Sequence, residues 1–154
     1  MAEIDTEAVV SVLNRLLEAE LAGVVRYTHY SFLVFGYNRI PIVSWLRDQA
    51  AESQTHAHMV GEWITNLGAY PSLGIGTLLD EHKTDIGVIL RESLEAEGAA
   101  LALYKQLLVL VDGRHIALEE FAREMILAEE MHASEVDKML RLPGEVASFA
   151  SRPA

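Results

Sequence analysis

The chain has 154 residues, 51% of them hydrophobic, which is enough for a single domain over residues 1–154 with a substantial core. It contains no cysteine, which excludes disulfides, thiolate nucleophiles, iron-sulfur clusters and cysteine-type zinc sites. Its net charge of -11 argues against nucleic-acid binding and suits a protein that attracts cations. The acidic start does not have the pattern of a signal peptide, and no apolar run is long enough to span a membrane. We therefore expect a cytoplasmic protein with no membrane partner.

The first half of the chain predicts two helices. Apolar residues recur at helical spacing over about 5–35, where Gly36 stops the pattern, and a second helical segment runs from Pro41 to Gly68. Proline is accepted in the first turn of a helix, and glycine is favoured just past the last turn. Because the connection is short, the two helices should form an antiparallel hairpin.

A segment with turn composition separates the two halves. The 14 residues 69–82 include Pro71, Gly74 and Gly76. The second helix, of about 28 residues, would be roughly 42 Å long, and 14 extended residues reach roughly 46–50 Å. The segment can therefore cross the whole bundle and place the third helix parallel to the second.

The second half predicts another short-linked pair. One helix runs over about 84–111 until Asp112-Gly113, and another over about 115–142 until Pro143-Gly144. After it only residues 143–154 remain, as a short tail or helix. The predicted fold class is an all-α four-helix bundle with a long crossover between the second and third helices.

One motif occurs in both halves of the chain. Its members are a glutamate, a tyrosine seven residues later and a distant histidine: Glu20, Tyr27 and His56, then Glu97, Tyr104 and His132. The glutamate and histidine are 36 positions apart in the first copy and 35 in the second. Each tyrosine lies two turns beyond its glutamate on the same face, so we expect its hydroxyl to bond a carboxylate of the site.

The motif residues should also lie at one depth in the bundle. Glu20 and Glu97 are at the middles of their helices, and His56 and His132 are within about four residues of the middles of theirs. Glu129 precedes His132 by three residues and shares its face. Buried carboxylates cost several kcal/mol unless they are protonated, paired or bound to cations. We therefore predict a metal site in the core.

The chain resembles bacterioferritins over nearly its whole length. The matching segments are Leu13-Asn14-Arg15-Leu16-Leu17 before Glu20-Leu21, then Tyr27, His56-Ala57 with Glu62 and Pro71, Leu90-Arg91 before Glu97, and Ile126-Leu127-Ala128-Glu129-Glu130-Met131-His132. The resemblance implies a ferritin-like bundle with a di-iron site, in which Glu20 and Glu97 are terminal carboxylates, His56 and His132 supply imidazoles, and Glu129 is a bridge.

The resemblance further implies a function. A bacterioferritin-like protein would be a ferroxidase that oxidises Fe(II) to Fe(III) with O2 or H2O2. It would store or detoxify iron in a homo-oligomeric shell, either a 24-mer or a 12-mer.

Two positions depart from the family pattern. The family has a second bridging glutamate three residues before the first histidine, and here that position is Ser53. We predict that Glu52 replaces it as a metal ligand; the alternative is a weaker site with one bridge that holds one metal, or zinc instead of iron. The methionine that ligates haem in the family matches Gln54, which argues against haem.

Two other functions stay open from the sequence. A non-storage di-iron oxidase or hydroxylase would need an apolar cavity beside the metals or a membrane-facing surface, and the sequence shows no clear sign of either. A metal-poor, degenerate bundle would have lost activity at Ser53.

Overall fold

The structure, a computed structural model, describes residues 2–149, which form four long helices and no strand. The helices are α1 (Thr6–Phe32), α2 (Arg39–Asn66), α3 (Ile86–Val111) and α4 (Ile116–Leu140). The predicted all-α four-helix class is confirmed. None of the helices in this range combines the length and apolar composition that crossing a membrane requires.

Side-chain caps and glycines set the helix boundaries. Three helices have an N-cap residue whose side chain accepts a hydrogen bond from the backbone N–H three residues later. These residues are Asp5, Asp85 and His115. The glycines predicted to stop the helices all have positive φ angles, at 98° for Gly36, 80° for Gly68, 68° for Gly113 and 81° for Gly144. These signals explain why the predicted boundaries are within three residues of the observed ones.

The largest boundary difference is at the end of α1. The helix ends at Phe32, three residues before the predicted end. The guanidinium of Arg39 donates a 2.7 Å hydrogen bond to the carbonyl of Val34, so a side chain from the start of α2 satisfies a carbonyl just beyond α1. The chain can therefore leave the helix before Gly36.

The crossover between α2 and α3, residues 67–85, runs beside α1 in the same direction as α1. The N–H of Ser72 donates to the Asn14 side chain at 2.7 Å, and the N–H of Gly76 donates to the Glu18 carbonyl at 2.9 Å. Later residues of the crossover thus contact later residues of α1, so the two segments run in the same direction. The crossover spans the bundle, and α3 is parallel to α2, as the linker length predicted.

Two apolar clusters form the core, on either side of a polar layer. The larger one contains residues of all four helices, and the smaller one is built on Tyr27, Tyr30 and Leu46. Helix α1 packs on α2 and α3, and α3 packs on α4. No Cα atom of α2 is within 8 Å of one of α4, so this seam is the widest in the bundle.

The tail after α4 folds back onto that helix. The N–H of Phe149 donates to the Asp137 carboxylate at 3.2 Å, and the Arg141 side chain donates to the Val146 carbonyl at 2.8 Å. No α-helix forms between residue 141 and residue 149. The remainder of the predicted tail, residues 150–154, lies outside the described residues.

We expect Gly76→Ala to lower the free energy of unfolding by about 1–3 kcal/mol. A Cβ at this position would be 2.9 Å from the backbone oxygen of Glu18, so the crossover would have to move away from α1. Gly98→Ala is the matched control, because a Cβ there meets nothing within 4 Å and alanine favours a helix by about 0.5–1 kcal/mol. Urea unfolding followed by circular dichroism compares the variants; equal effects would contradict close packing of the crossover.

Candidate metal centre

A layer of buried polar side chains separates the two apolar clusters, and every helix contributes to it. Glu20 of α1, His56 of α2, Glu97 of α3 and Glu129 of α4 are each at most 9% exposed. They belong to the apolar stripes of their helices, so packing the stripes together buries them as well. His132, one turn after Glu129, has a side chain that is 11% exposed. The structure thus brings the five residues together at one depth.

Three of these residues converge on one point. The Nδ1 atom of His56 is 3.5 Å from an Oε1 atom of Glu20 and 3.5 Å from Oε1 of Glu129. Each of the three side chains offers one donor atom, and these atoms lie within 4.8 Å of one another. The spacing is close enough for a modest movement of side chains to bring all three onto one ion.

The other two residues lie beside this group. The Nε2 atom of His132 is 3.9 Å from Oε1 of Glu97. The carboxyl groups of Glu97 and Glu129 are close enough to shift each other's pKa, so Glu129 lies beside the acidic residues of both sides. Glu129 therefore has the central position that a bridging ligand would need.

Each tyrosine of the repeated motif forms a hydrogen bond to the glutamate of the other copy. Tyr27 donates a 2.6 Å hydrogen bond to Glu97, and Tyr104 donates a 2.9 Å hydrogen bond to Glu20. The predicted bond from each hydroxyl to a site carboxylate is confirmed. Burial and the nearby carboxylate charges raise the pKa of both tyrosines, which therefore stay protonated donors at neutral pH.

The layer holds extra protons at neutral pH. Burial raises the pKa of Glu129 to about 9, although its hydrogen bond with His56 opposes the shift. Burial acts against protonation of His56, but hydrogen bonds to Glu129 and Glu20 outweigh it and raise the pKa to about 10. Burial would also raise the pKa of Glu97, but the neighbouring Glu129 carboxyl, the His132 ring and the Tyr27 hydroxyl together lower it. A neutral Glu129 next to an ionised Glu97 limits the negative charge in the layer.

The donor set fits a metal ion. The Oε2 atom of Glu129 is buried, and no group within residues 2–149 forms a hydrogen bond to it. An unsatisfied buried polar atom costs about 1–3 kcal/mol, which a cation beside it would offset. Carboxylate and imidazole donors together suit first-row ions such as iron and zinc.

The structure places Ser53 and Glu52 on different sides of α2. Ser53 is buried against α1, where its hydroxyl would be 2.9 Å from a Cβ on Gly23. The Glu52 side chain is 45% exposed, and its Oε1 is 3.7 Å from Nε2 of His56, the ring nitrogen opposite the one that faces Glu20. Glu52 therefore lies on the side of the His56 ring that faces away from Glu20 and Glu129. Gln54 is exposed, and it has an amide at the position that the resemblance to bacterioferritins matches with the haem-ligating methionine.

A cavity of about 300 Å³ opens beside the layer, at the seam between α2 and α4. Its lining residues include His132 of the layer and the carboxylates of Glu52 and Glu135, together with the side chains of Trp45 and Met131. The Trp45 ring meets the His132 ring edge-on, with centroids 5.9 Å apart. The cavity thus joins the layer to an acidic opening.

Sequence reasoning missed Arg26 as part of the surroundings of the site. Its guanidinium lies 5.8 Å from the centroid of the Tyr27 ring, and its charge helps lower the pKa of Glu97. The repeated motif contains no signal for it, because the position before Tyr104 is Leu103.

In metal-free protein, we expect the free energy of unfolding to decrease as the pH rises from about 6.5 to about 9. The folded state keeps protons on Glu129 and His56, with pKa values of about 9 and about 10, whereas the unfolded chain loses them near 4.5 and 6.5. The folded state therefore binds more protons than the unfolded chain throughout this range, so the free energy of unfolding has a negative slope against pH. Urea unfolding in EDTA at several pH values measures it.

Glu129→Gln is the control for this experiment. The amide is neutral at every pH and removes a partner that holds the proton on His56, so the slope should become smaller. Stability that stays level or increases with pH in the parent protein would contradict this protonation scheme.

The sequence profile of the ferritin-like domain matches residues 10–143 of the chain. No curated protein sequence is significantly similar to the chain.

Solved structures share the fold at low sequence identity. A ferritin-like, diiron-carboxylate protein from Bacillus anthracis has a TM-score of 0.83 and 22% identity, covering 92% of this chain and 100% of its own. The dodecameric thioferritin of Bacteroides fragilis, a bacterioferritin-related protein, has a TM-score of 0.83 and 19% identity, over 90% of this chain and 87% of its own. The bacterioferritin of Desulfovibrio desulfuricans, which has a diiron site, has a TM-score of 0.74 and 22% identity. The match covers 88% of this chain and 79% of the bacterioferritin chain.

Proposed function

Because the chain belongs to the ferritin-like family, we propose that it binds iron in the polar layer between its helices and oxidises Fe(II) to Fe(III). The observation that carries the proposal is the convergence of Glu20, His56 and Glu129 in the core, with Oε2 of Glu129 left unsatisfied. Each Fe(II) ion bound in such a site would give one electron to the oxidant, dioxygen or hydrogen peroxide, and become Fe(III).

We assign the ligands by their positions in the layer. Glu20 and His56 would hold one ion, Glu97 and His132 a second, and Glu129 would contact both. Ion binding requires neutral imidazole and ionised carboxylate, so His56 and Glu129 would release their protons as Fe(II) enters. The tyrosine hydroxyls keep Glu20 and Glu97 in place by donating to one oxygen of each.

The cavity at the α2/α4 seam favours iron oxidation over a substrate-oxidising function. A hydroxylase would need an apolar pocket beside the metals, and Trp45 and Met131 supply apolar walls. The same cavity, however, is lined by Glu52 and Glu135, whose charges favour a cation over an apolar molecule. The acidic lining therefore supports access for Fe(II).

We further propose that the protein stores or detoxifies iron in a homo-oligomeric shell. Large apolar side chains are exposed around the connection between α1 and α2, namely Phe32, Phe35, Tyr37 and Ile40. Such a group of exposed residues is typical of a surface that another protein copy covers. The particle mass in solution distinguishes a 24-mer from a 12-mer, and a monomer would contradict storage.

We expect Glu129→Ala to reduce Fe(II) oxidation roughly 100-fold or more, because this residue alone would contact both ions. Glu130→Ala is the matched control: Glu130 is the next residue, is exposed and pairs with Lys105 at the surface. Stopped-flow absorbance after Fe(II) addition, with metal counting, measures the effect. Circular dichroism checks folding, and Glu129→Gln repeats the test without a cavity. Equal rates in Glu129→Ala and the parent would disprove the bridging role.

The contacts of Glu52 support a positioning role more than the ligand role predicted from the sequence. An ion between Nδ1 of His56, Glu20 and Glu129 leaves the Nε2–H of His56 free to donate to Glu52. A carboxylate behind a histidine ligand orients the ring and typically changes metal affinity 10–100-fold on mutation. We therefore propose that Glu52 orients His56.

Glu52→Gln separates the two roles. In a positioning role, the variant should bind as many iron ions per chain as the parent, with roughly 10-fold weaker affinity. In a ligand role, it should lose the second ion. Glu62→Gln, at another exposed position of α2, is the control. Iron titration with near-ultraviolet absorbance and metal counting measures both quantities; unchanged affinity and count would exclude both roles.

The combined variant Glu52→Gln/Ser53→Glu tests position 53. If Ser53 marks an empty bridge, the new carboxylate should raise the occupancy of the second ion above that of Glu52→Gln alone. No increase would mean that α2 supplies only His56 to the metals.

A further inference from the structure

A histidine pair lies outside the polar layer, between α1 and the crossover. The Nδ1 atom of His82 is 3.2 Å from the Nε2 atom of His29, and the ring planes are inclined by 29°. The two residues are 53 positions apart in the sequence, so only the path of the crossover along α1 brings them together.

The two nitrogens face each other. The ring centroids are 5.1 Å apart and the ring planes are 29° from parallel, so the rings are stacked with an offset that brings one nitrogen of each ring together. Two histidine nitrogens bound to one tetrahedral ion, each at about 2.0–2.1 Å, would be roughly 3.3–3.4 Å apart. The observed distance is almost the same, so a small rotation of the rings would direct both nitrogens at a shared ion.

Two carboxylates share a cavity with the pair, and one of them, Glu81, forms a 3.2 Å ion pair with Lys83. A cavity of about 410 Å³ adjoins the two histidines and is also lined by Asp80 and Glu81. Arg26 lines this cavity as well, but its guanidinium lies over the ring of Tyr27, towards the bundle. Two imidazoles with one or two carboxylates make a set of donors that suits zinc and neighbouring divalent ions.

We propose that His29 and His82 form a second divalent-cation site that ties the crossover to α1, and that Asp80 or Glu81 completes it by moving its side chain towards the ion. The site takes ions that prefer imidazole, such as Zn²⁺ and Co²⁺. It shares no residue with the polar layer, so it does not depend on the proposed iron chemistry.

Trypsin cleavage after Lys83 tests the proposal. This bond is next to His82, so an ion that holds His82 against α1 should slow its cleavage. With the full-length protein in saturating Zn²⁺, we expect cleavage after Lys83 to be at least about 10-fold slower than in EDTA. Mass spectrometry follows the cleavage, and a free peptide substrate in the same tube corrects for effects of zinc on trypsin.

Variants identify the residues responsible. His29→Gln and His82→Gln should each abolish the protection and bind one zinc ion fewer per chain than the parent. His58→Gln, which removes an exposed histidine of α2, should keep it. Glu129→Gln should also keep it, because that change affects only the polar layer. The proposal is overturned if zinc gives no protection, if either variant of the pair retains it, or if Glu129→Gln abolishes it.

Discussion

The structure depends on the burial of three carboxylates at one level of a helical bundle. Glu20, Glu97 and Glu129 share a layer with apolar clusters on both sides, where an unbalanced negative charge would cost several kcal/mol. The equal depth of these residues, the histidines beside them and the hydroxyl groups that point at them all reduce that cost. The same arrangement prepares the layer for a cation, because it holds acidic side chains close together in the buried core.

The internal repeat has a structural meaning beyond its symmetry. Each tyrosine bonds the glutamate of the other copy, so neither half of the chain can satisfy its own buried groups. A hairpin of α1 and α2 alone would leave Glu20 without its hydroxyl donor. The two halves therefore stabilise each other through polar contacts as well as through the apolar core, and we expect them to fold as one cooperative unit.

Much of this arrangement could be predicted from the sequence, for identifiable reasons. Helical periodicity and stop glycines located the four helices, and the length of the crossover determined the direction of α3. Depth along the helices grouped Glu20 and Glu97 with the histidines, because helices packed side by side align their midpoints. Periodicity gives only the face and the level of a residue. It could not show which nitrogen of His56 faces Glu52, and it contains no information on a loop, so the contact between His29 and His82 was not predictable.

The wide seam between α2 and α4 breaks the twofold symmetry of the layer. On the opposite wall the crossover hydrogen-bonds to α1 and lines a cavity together with residues of α1 and α3, whereas the cavity at the seam is lined by His132 and by Glu52, the neighbour of the His56 ring. The two matched histidine side chains are equally exposed, at 11% each, but only His132 lines this cavity. If the layer binds ions as proposed, an ion that entered through the seam would meet His132 first, and Glu129 would lie between it and His56. On the proposed function, this asymmetry would give a nearly symmetric site a preferred end for exchange with the surroundings.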